Sequence, residues 1–260
     1  VQQDEVCLAL ESRSNPRFKA LKQLTHDNDG AREQKRVWLE GDHLVRAAVG
    51  RGFAIAAIVA TQEGLRQWAH LGLVRPSECT VLSQTLWKDA SQLASVWQFA
   101  AIVELPRPVA VDVLCPTVVL DRIQDPGNVG SILRSASAFG YRQVLALKGT
   151  ASLWGPKVLR AAMGAHFGLR VHESLRIEDL ALLRQFRCVT SSHLGQSLSA
   201  IKGAAGSQPL VWIFGNEGQG VVPALMDSAD LHLRIDQPGG EESLNVAAAA
   251  AICLHASAVG

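Results

Sequence analysis

The chain has 260 residues, of which 48% are apolar, and 25 Lys+Arg against 24 Asp+Glu leave a formal net charge of +1. That length and apolar share predict one large or two small domains with a real core, and they exclude wholesale disorder. The near-neutral balance excludes a global basic field for nucleic acid. Charge is nevertheless uneven: residues 12–51 hold nine Lys/Arg against five Asp/Glu, and residues 117–170 hold seven against two.

Five cysteines, Cys7, Cys79, Cys115, Cys188 and Cys253, are scattered and odd in number. No CxxC pair or Cys/His grouping offers a metal site, and a disulfide framework is not expected at this size, so a reducing, cytoplasmic setting follows. The opening "VQQDEVCLAL" lacks the basic region of a signal peptide. The apolar run Val246 to Leu254 is too short to span a bilayer, so no membrane partner is expected.

In chain order, "NPRFKALKQL" (15–24) reads as a helix with Pro16 tolerated in its first turn. "VWLEGDHLVRAAVGRG" (37–52) reads as a strand passing into a helix closed by glycine. "AIAAIVAT" (54–61) and "ECTVLSQ" (78–84) read as buried strands, and "LWKDASQL" (86–93) as a helix. Pro106, Pro108 and Pro116 then break the periodicity, which predicts a linker over 106–116 between domains at 1–105 and 117–260.

Beyond the linker, "TVVLDRI" (117–123), "QVLAL" (143–147), "RCVTSS" (187–192), "LVWIFG" (210–215) and "LHLRID" (231–236) read as strands. Helices are expected after "DPGN" (125–128), over "PKVLRAAMGA" (156–165) and from about Ser243. Such alternation predicts an α/β fold with a mostly parallel sheet covered on both faces. Ligands of such sheets sit in the loops beyond the carboxyl ends of the strands.

Three of those loops are rich in Gly, Asn and charge. In "DPGNVGSILRSASAFG" (125–140), turn chemistry opens a helix, and Arg134 lies six residues after Asn128, expected near the side on which Asn128 begins the helix. An arginine among Ile132, Leu133 and Ala136 needs an acidic partner or an anionic ligand. In "LVWIFGNEGQGVV" (210–222), glycines at 215, 218 and 220 allow close approach of a ligand or of another chain segment. Their order is not GxGxxG, and no P-loop occurs, which disfavours nicotinamide and nucleotide-hydrolysing chemistry. In "QPGGEESLNVAAAAAICLHA" (237–256), Ser243 is a fair N-cap, and Glu241 and Glu242 suit the positive end of a helix dipole. That cap reading leaves Gly239-Gly240 and Asn245 without a reason.

Together, "DPGNVGSILRSASAFG", "IFGNEGQGV" and "IDQPGGEESLNVAAAAAICL" resemble motifs one, two and three of the SpoU/TrmH group of RNA ribose 2′-O-methyltransferases, within the knotted SPOUT class. "KVLRAAMGAHFGLRV" (157–171) continues the resemblance, which covers about residues 117–260. The stretch "SNPRFKALKQL" with "WLEGDHLVRAAVGRG" resembles the L30e-like substrate-binding domain of many members. One departure stands in motif three, where Asp236-Gln237 replaces the usual Pro-Met after Ile235.

The resemblance implies a deep trefoil knot, a homodimer packed through the knotted domain, and S-adenosylmethionine as cofactor with no metal. It assigns cofactor contacts to Phe214, Gly215, Ile235, Leu244 and Asn245, largely through the backbone. Arg134 matches the motif-one arginine that helps deprotonate or orient the ribose hydroxyl, and positioning is favoured over proton abstraction. Asn128, Glu217, Ser243 and Asn245 match the remaining polar positions that hold the arginine, the ribose and the loops. Arg13, Arg17, Lys19 and Lys22 fall on or beside one N-terminal helix and suit RNA phosphates, with a plain solvated face as the alternative. Ribosomal RNA is the preferred substrate and transfer RNA the alternative. A non-catalytic RNA-binding protein with a decayed knot domain and a base-nitrogen methyltransferase are the competing readings.

Overall fold

The computed structural model describes residues 7–91, 96–191, 194–201, 208–239 and 243–258. The chain forms two compact units, residues 1–107 with 154–156, and residues 108–153 with 157–260.

The first unit contains β1 (Leu8–Leu10), α1 (Pro16–His26), α2 (Gly30–Gln34), β2 (Arg36–Glu40), α3 (Asp42–Val49), β3 (Ile55–Ala60), α4 (Gln62–Ala69), β4 (Glu78–Leu82), α5 (Gln84–Ala90) and β5 (Phe99–Glu104). Its five strands are ordered β1-β4-β3-β5-β2, with β5 antiparallel to both of its neighbours and the other pairs parallel. Phe18, Leu24, Trp38, Trp87 and Ile102 pack on one face of this sheet. Helix α1 starts where Asn15 accepts from the Arg17 amide at 2.9 Å and Pro16 takes the first turn.

A disulfide joins Cys7 to Cys79, where the scattered cysteines and the reducing setting read from them led to no expected disulfide framework. Strand register explains it: Leu8 lies opposite Thr80 in the parallel β1–β4 pair, so the preceding residues also face each other. A separation of 72 residues hides that pairing from spacing rules. Helix α4 and the strand β5, an apolar run from Phe99 to Val103, are further elements the sequence reading does not single out.

The second unit contains β6 (Thr117–Asp121), α6 (Pro126–Ala138), β7 (Gln143–Leu147), α7 (Pro156–Ala162), β8 (Arg170–Leu175), β9 (Phe186–Thr190), β10 (Gln196–Ser197), β11 (Leu210–Gly215), α8 (Pro223–Asp227), β12 (Leu231–Arg234) and α9 (Val246–Ala258). Seven strands are ordered β10-β12-β9-β11-β6-β7-β8, and every pairing is parallel. The central strands β6, β7 and β11 are buried along their whole length, as a parallel sheet covered on both faces requires.

Two contacts fix the helices that carry the loops. Gly130 of α6 lies so close to α7 that an added Cβ would stand 2.4 Å from the Ala161 Cβ. Ser257 of α9 accepts from Trp212 Nε1 at 3.0 Å and bonds the Tyr141 hydroxyl at 2.9 Å, pinning the last helix to the sheet. Burial pushes the Tyr141 phenol up to about 12, against the lowering effect of its Ser257 and Trp212 hydrogen bonds. Ala250, Cys253 and Leu254 form the buried face of α9. Among the described residues, no helix is long and apolar enough to cross a membrane.

Candidate active site

Strands β6 and β11 lie side by side, with Asp121 opposite Gly215 at their carboxyl ends, so the loops of motifs one and two leave the sheet together. The motif-two loop turns back at once: Asn216 and Gly220 form an antiparallel bridge, and Asn216 Oδ1 accepts from the amides of Gly218 and Gln219, both at 3.0 Å. A Cβ on Gly215 would stand 2.2 Å from the Val221 nitrogen. The close approach expected of this glycine is therefore to its own loop.

Glu217, at the tip of that turn, reaches the start of α6. Its carboxylate accepts from the Gln124 and Asp125 amides, both at 3.2 Å, and from Asn128 Nδ2 at 3.1 Å. Partial burial pushes the Glu217 carboxyl up, but hydrogen bonds from Asn128 and the amides of Glu217, Asp125 and Gln124 outweigh it, and the net shift is below the ordinary value. Asp125 caps α6 by accepting from the Asn128 amide at 2.8 Å. The Asn128 side-chain oxygen in turn accepts from Asn245 Nδ2 at 2.9 Å. One hydrogen-bonded chain, Asn245–Asn128–Glu217, thus joins all three motifs.

Asn245 also supplies the cap of α9. Its Oδ1 accepts from the amides of Ala247 at 2.9 Å and Ala248 at 3.3 Å, and the helix begins at Val246. The sequence pattern assigns that role and the helix start to Ser243, which instead lies exposed two residues earlier. Asparagine is as good a cap as serine, and the alanine run that follows offers no periodicity to fix the first turn. Gly240, Glu241 and Glu242 lie outside the described residues.

The other expected residues divide. Arg134 is exposed on α6 and has no hydrogen bond or ion pair among the described residues. Six residues are about one and two-thirds helical turns, so it emerges about 120° around α6 from Asn128 and roughly 9 Å further along. The structure therefore does not place it on the side of Asn128, as the spacing predicts. The Phe214 side chain is fully buried and stacks on Trp212, so only its backbone can face a ligand. Ile235 is half-buried, and Leu244 is exposed beside the cap. In the first unit Arg13 pairs with Asp89, whereas Arg17, Lys19 and Lys22 are exposed along α1.

The motif-three loop shows two features that suit a bound small molecule. Gln237 Oε1 is buried and has no hydrogen-bond partner among the described residues, which leaves an acceptor open to a donor from outside them. Gly239 would meet nothing within 4 Å if it carried a Cβ, so the backbone there stands open. Among the described residues, no cluster of His, Cys, Asp and Glu could hold a metal ion.

The profile of the SpoU rRNA Methylase family matches residues 116–255, more than half of the chain. The chain belongs to that family. A 23S rRNA (guanosine(2553)-2′-O)-methyltransferase of Bacillus subtilis, RlmP, is 29% identical over 95% of this chain and 97% of its own. Among solved structures, an AdoMet-bound rRNA methyltransferase from Sinorhizobium meliloti aligns with a TM-score of 0.80 at 26% identity, covering 96% of each chain. A TrmH-family RNA methyltransferase from Porphyromonas gingivalis aligns at 0.79 with 28% identity, over 95% of this chain and 98% of that one. The SpoU match covers all three motif loops, and the Asn245–Asn128–Glu217 chain is the arrangement that brings them together in this member. Asp121 and Arg122, which tie the motif-two loop to β6, are not singled out by the sequence. Their signal is weak, because an Asp-Arg pair at the end of an apolar strand is a common way to enter a loop.

Proposed function

We propose that this chain transfers a methyl group from S-adenosylmethionine to a ribose 2′-hydroxyl of ribosomal RNA. The observation that carries this reading is the continuous Asn245–Asn128–Glu217 chain beyond the carboxyl ends of the sheet. Such a connection keeps three loops in one arrangement before any ligand arrives, which is the preorganisation a group transfer needs. Membership of the SpoU family and the activity named for the Bacillus subtilis relative support the substrate class.

In this reading, Gly215, Ile235 and Leu244 offer backbone groups to the cofactor, and Gln237 offers its buried acceptor. The cofactor supplies an electrophilic methyl group. A sugar hydroxyl is a weak nucleophile near neutral pH, so its alignment and the stabilisation of its developing charge fall to the protein. Arg134 suits that role, because a guanidinium is a fixed cation with several donors, and this one has no competing partner among the described residues. Arg134 positions the ribose oxygen or a neighbouring phosphate, while Glu217, Asn128 and Asn245 hold the loops.

The first unit is read as an L30e-like substrate-binding domain, supported by the exposed Arg17, Lys19 and Lys22 on α1. A homodimer through the second unit, with a trefoil knot, accompanies this reading; exposed Leu244 and Ile252 near α9 support a partner there. The test combines calorimetry of S-adenosylmethionine binding with mapping of methylated nucleotides in ribosomal RNA by mass spectrometry. Binding with 2′-O-methylation is expected. Base methylation, or a chain that binds RNA but no cofactor, would overturn the proposal in favour of one of the competing readings.

A further inference from the structure

We infer that Arg122, with Asp121 beneath it, is a positioning residue that locks the Asn216–Gly220 turn into the shape its cofactor contacts require. The inference rests on the reading of that turn as part of the cofactor site. Asp121 ends β6 and is 1% exposed. Its two carboxylate oxygens accept from Arg122 Nε at 2.8 Å and from the Val222 amide at 2.8 Å, so it grips the far end of the motif-two loop directly. Arg122 grips the rest. Its Nη1 donates to Gln219 Oε1 at 2.6 Å, its Nη2 approaches the Gly220 carbonyl at 3.4 Å, and its own carbonyl accepts from Asn216 Nδ2 at 2.9 Å.

The backbone at Arg122 is an independent observation. Its φ is +58, in the left-handed region where glycine is the undemanding residue and a long side chain is strained. The Thr150 hydroxyl, which accepts from the Arg122 amide at 3.1 Å, helps hold that conformation. Strained residues persist where surrounding structure over-determines them, and they cluster at functional sites. Here the strain turns the Arg122 side chain back along the loop, where one fork meets Asp121, Gln219 and Gly220 together. Asp121 also holds the Arg122 guanidinium above its ordinary range, chiefly through their hydrogen bond. Glu217 sits inside the gripped turn, so Arg122 acts at one remove on Asn128 and Asn245.

A purely structural arginine and a positioning arginine answer differently to replacement by glycine. Arg122→Gly removes the fork and also relieves the strained backbone. Thermal melting, calorimetric S-adenosylmethionine affinity and amide exchange at Gly218 and Gln219 are to be measured on the full chain, for the wild type, Arg122→Gly and Arg122→Lys. The expected result for Arg122→Gly is at least tenfold faster exchange at both amides and roughly tenfold weaker cofactor binding, with a melting temperature set by relief of the backbone against the lost partner of the buried Asp121. Arg122→Lys keeps the charge but not the fork, so its exchange rate is expected to fall between the other two. Unchanged exchange and affinity in Arg122→Gly would overturn the inference, and so would exchange that rises equally at amides throughout the sheet rather than at Gly218 and Gln219. A wild type that binds no S-adenosylmethionine would refute the functional reading instead, and the exchange rates would still decide whether Arg122 holds the turn.

Discussion

Asn245 and Asn128 meet side chain to side chain at 2.9 Å across 117 positions of sequence, the amide nitrogen of the first donating to the amide oxygen of the second. Each asparagine has a second role at a helix start. Asn245 caps α9, and Asn128 sits in the first turn of α6 with its own Nδ2 given to Glu217. A change at any of the three is therefore felt in two loops.

Glu217→Gln keeps the size of the side chain but weakens three charge-assisted bonds, and S-adenosylmethionine affinity should fall roughly tenfold by calorimetry. Asn245→Ala should cost about 1 kcal/mol of stability through the lost cap as well as affinity, while Ser243→Ala should cost no cap. The Glu217 carboxyl is held below its ordinary value of 4.5 in the fold, so its contribution is present above that pH and is lost as pH falls through the depressed value. Cofactor affinity should accordingly hold steady from neutrality down to pH 5 as far as Glu217 governs it.

Arg134→Ala should separate chemistry from binding. The side chain is exposed and unpartnered among the described residues, so stability should change by no more than about 0.5 kcal/mol. Turnover should fall at least about a hundredfold with cofactor affinity nearly intact. Single-turnover methylation alongside calorimetry checks both halves, and full turnover in the variant would remove Arg134 from the mechanism.

Gly215 and Gly218 should respond differently to alanine. A Cβ at Gly215 would stand 2.2 Å from the Val221 nitrogen, whereas at Gly218 the nearest neighbour is the Asn216 side-chain oxygen at 3.8 Å. Overpacking should cost Gly215→Ala about 1–3 kcal/mol and loosen the turn. Urea denaturation of the two variants should show Gly218→Ala close to wild type.

His166 gives a stability signature independent of the loops. It is buried, its Nε2 contacts the Leu153 carbonyl at 2.7 Å, and burial draws it down to about 4, partly offset by that contact. The unfolded chain takes up this proton near 6.5 and the folded chain does not, so stability falls as pH drops from 6.5 toward 4. The slope attributable to this group approaches about 1.4 kcal/mol per pH unit. Denaturation at pH 7, 6 and 5 should show that component missing from His166→Gln; equal pH dependence in both proteins would contradict it.

Much of the fold is legible in the residues because strands such as "TVVLD" and "LVWIF" are unbroken apolar runs ending in turn chemistry. Motif positions then fall into loops at one end of a parallel sheet. What the sequence hides is three-dimensional. The reason for Asn245 is its meeting with Asn128, and the reason for Gly215 is the fold-back of its own loop. The Cys7–Cys79 bridge follows from strand register, which spacing cannot express. The strained backbone of Arg122 has no sequence signal either, since left-handed positions are anticipated only where glycine or asparagine marks them.

Ribose methylation by this chain is most directly tested by incubating it in full length with methyl-labelled S-adenosylmethionine and ribosomal RNA from cells lacking the protein, and locating the label by mass spectrometry. Label is predicted on the ribose 2′-oxygen of discrete ribosomal nucleotides, and it should be lost in Arg134→Ala. Label on a base, or none in ribosomal RNA under conditions where the cofactor binds, would contradict that function.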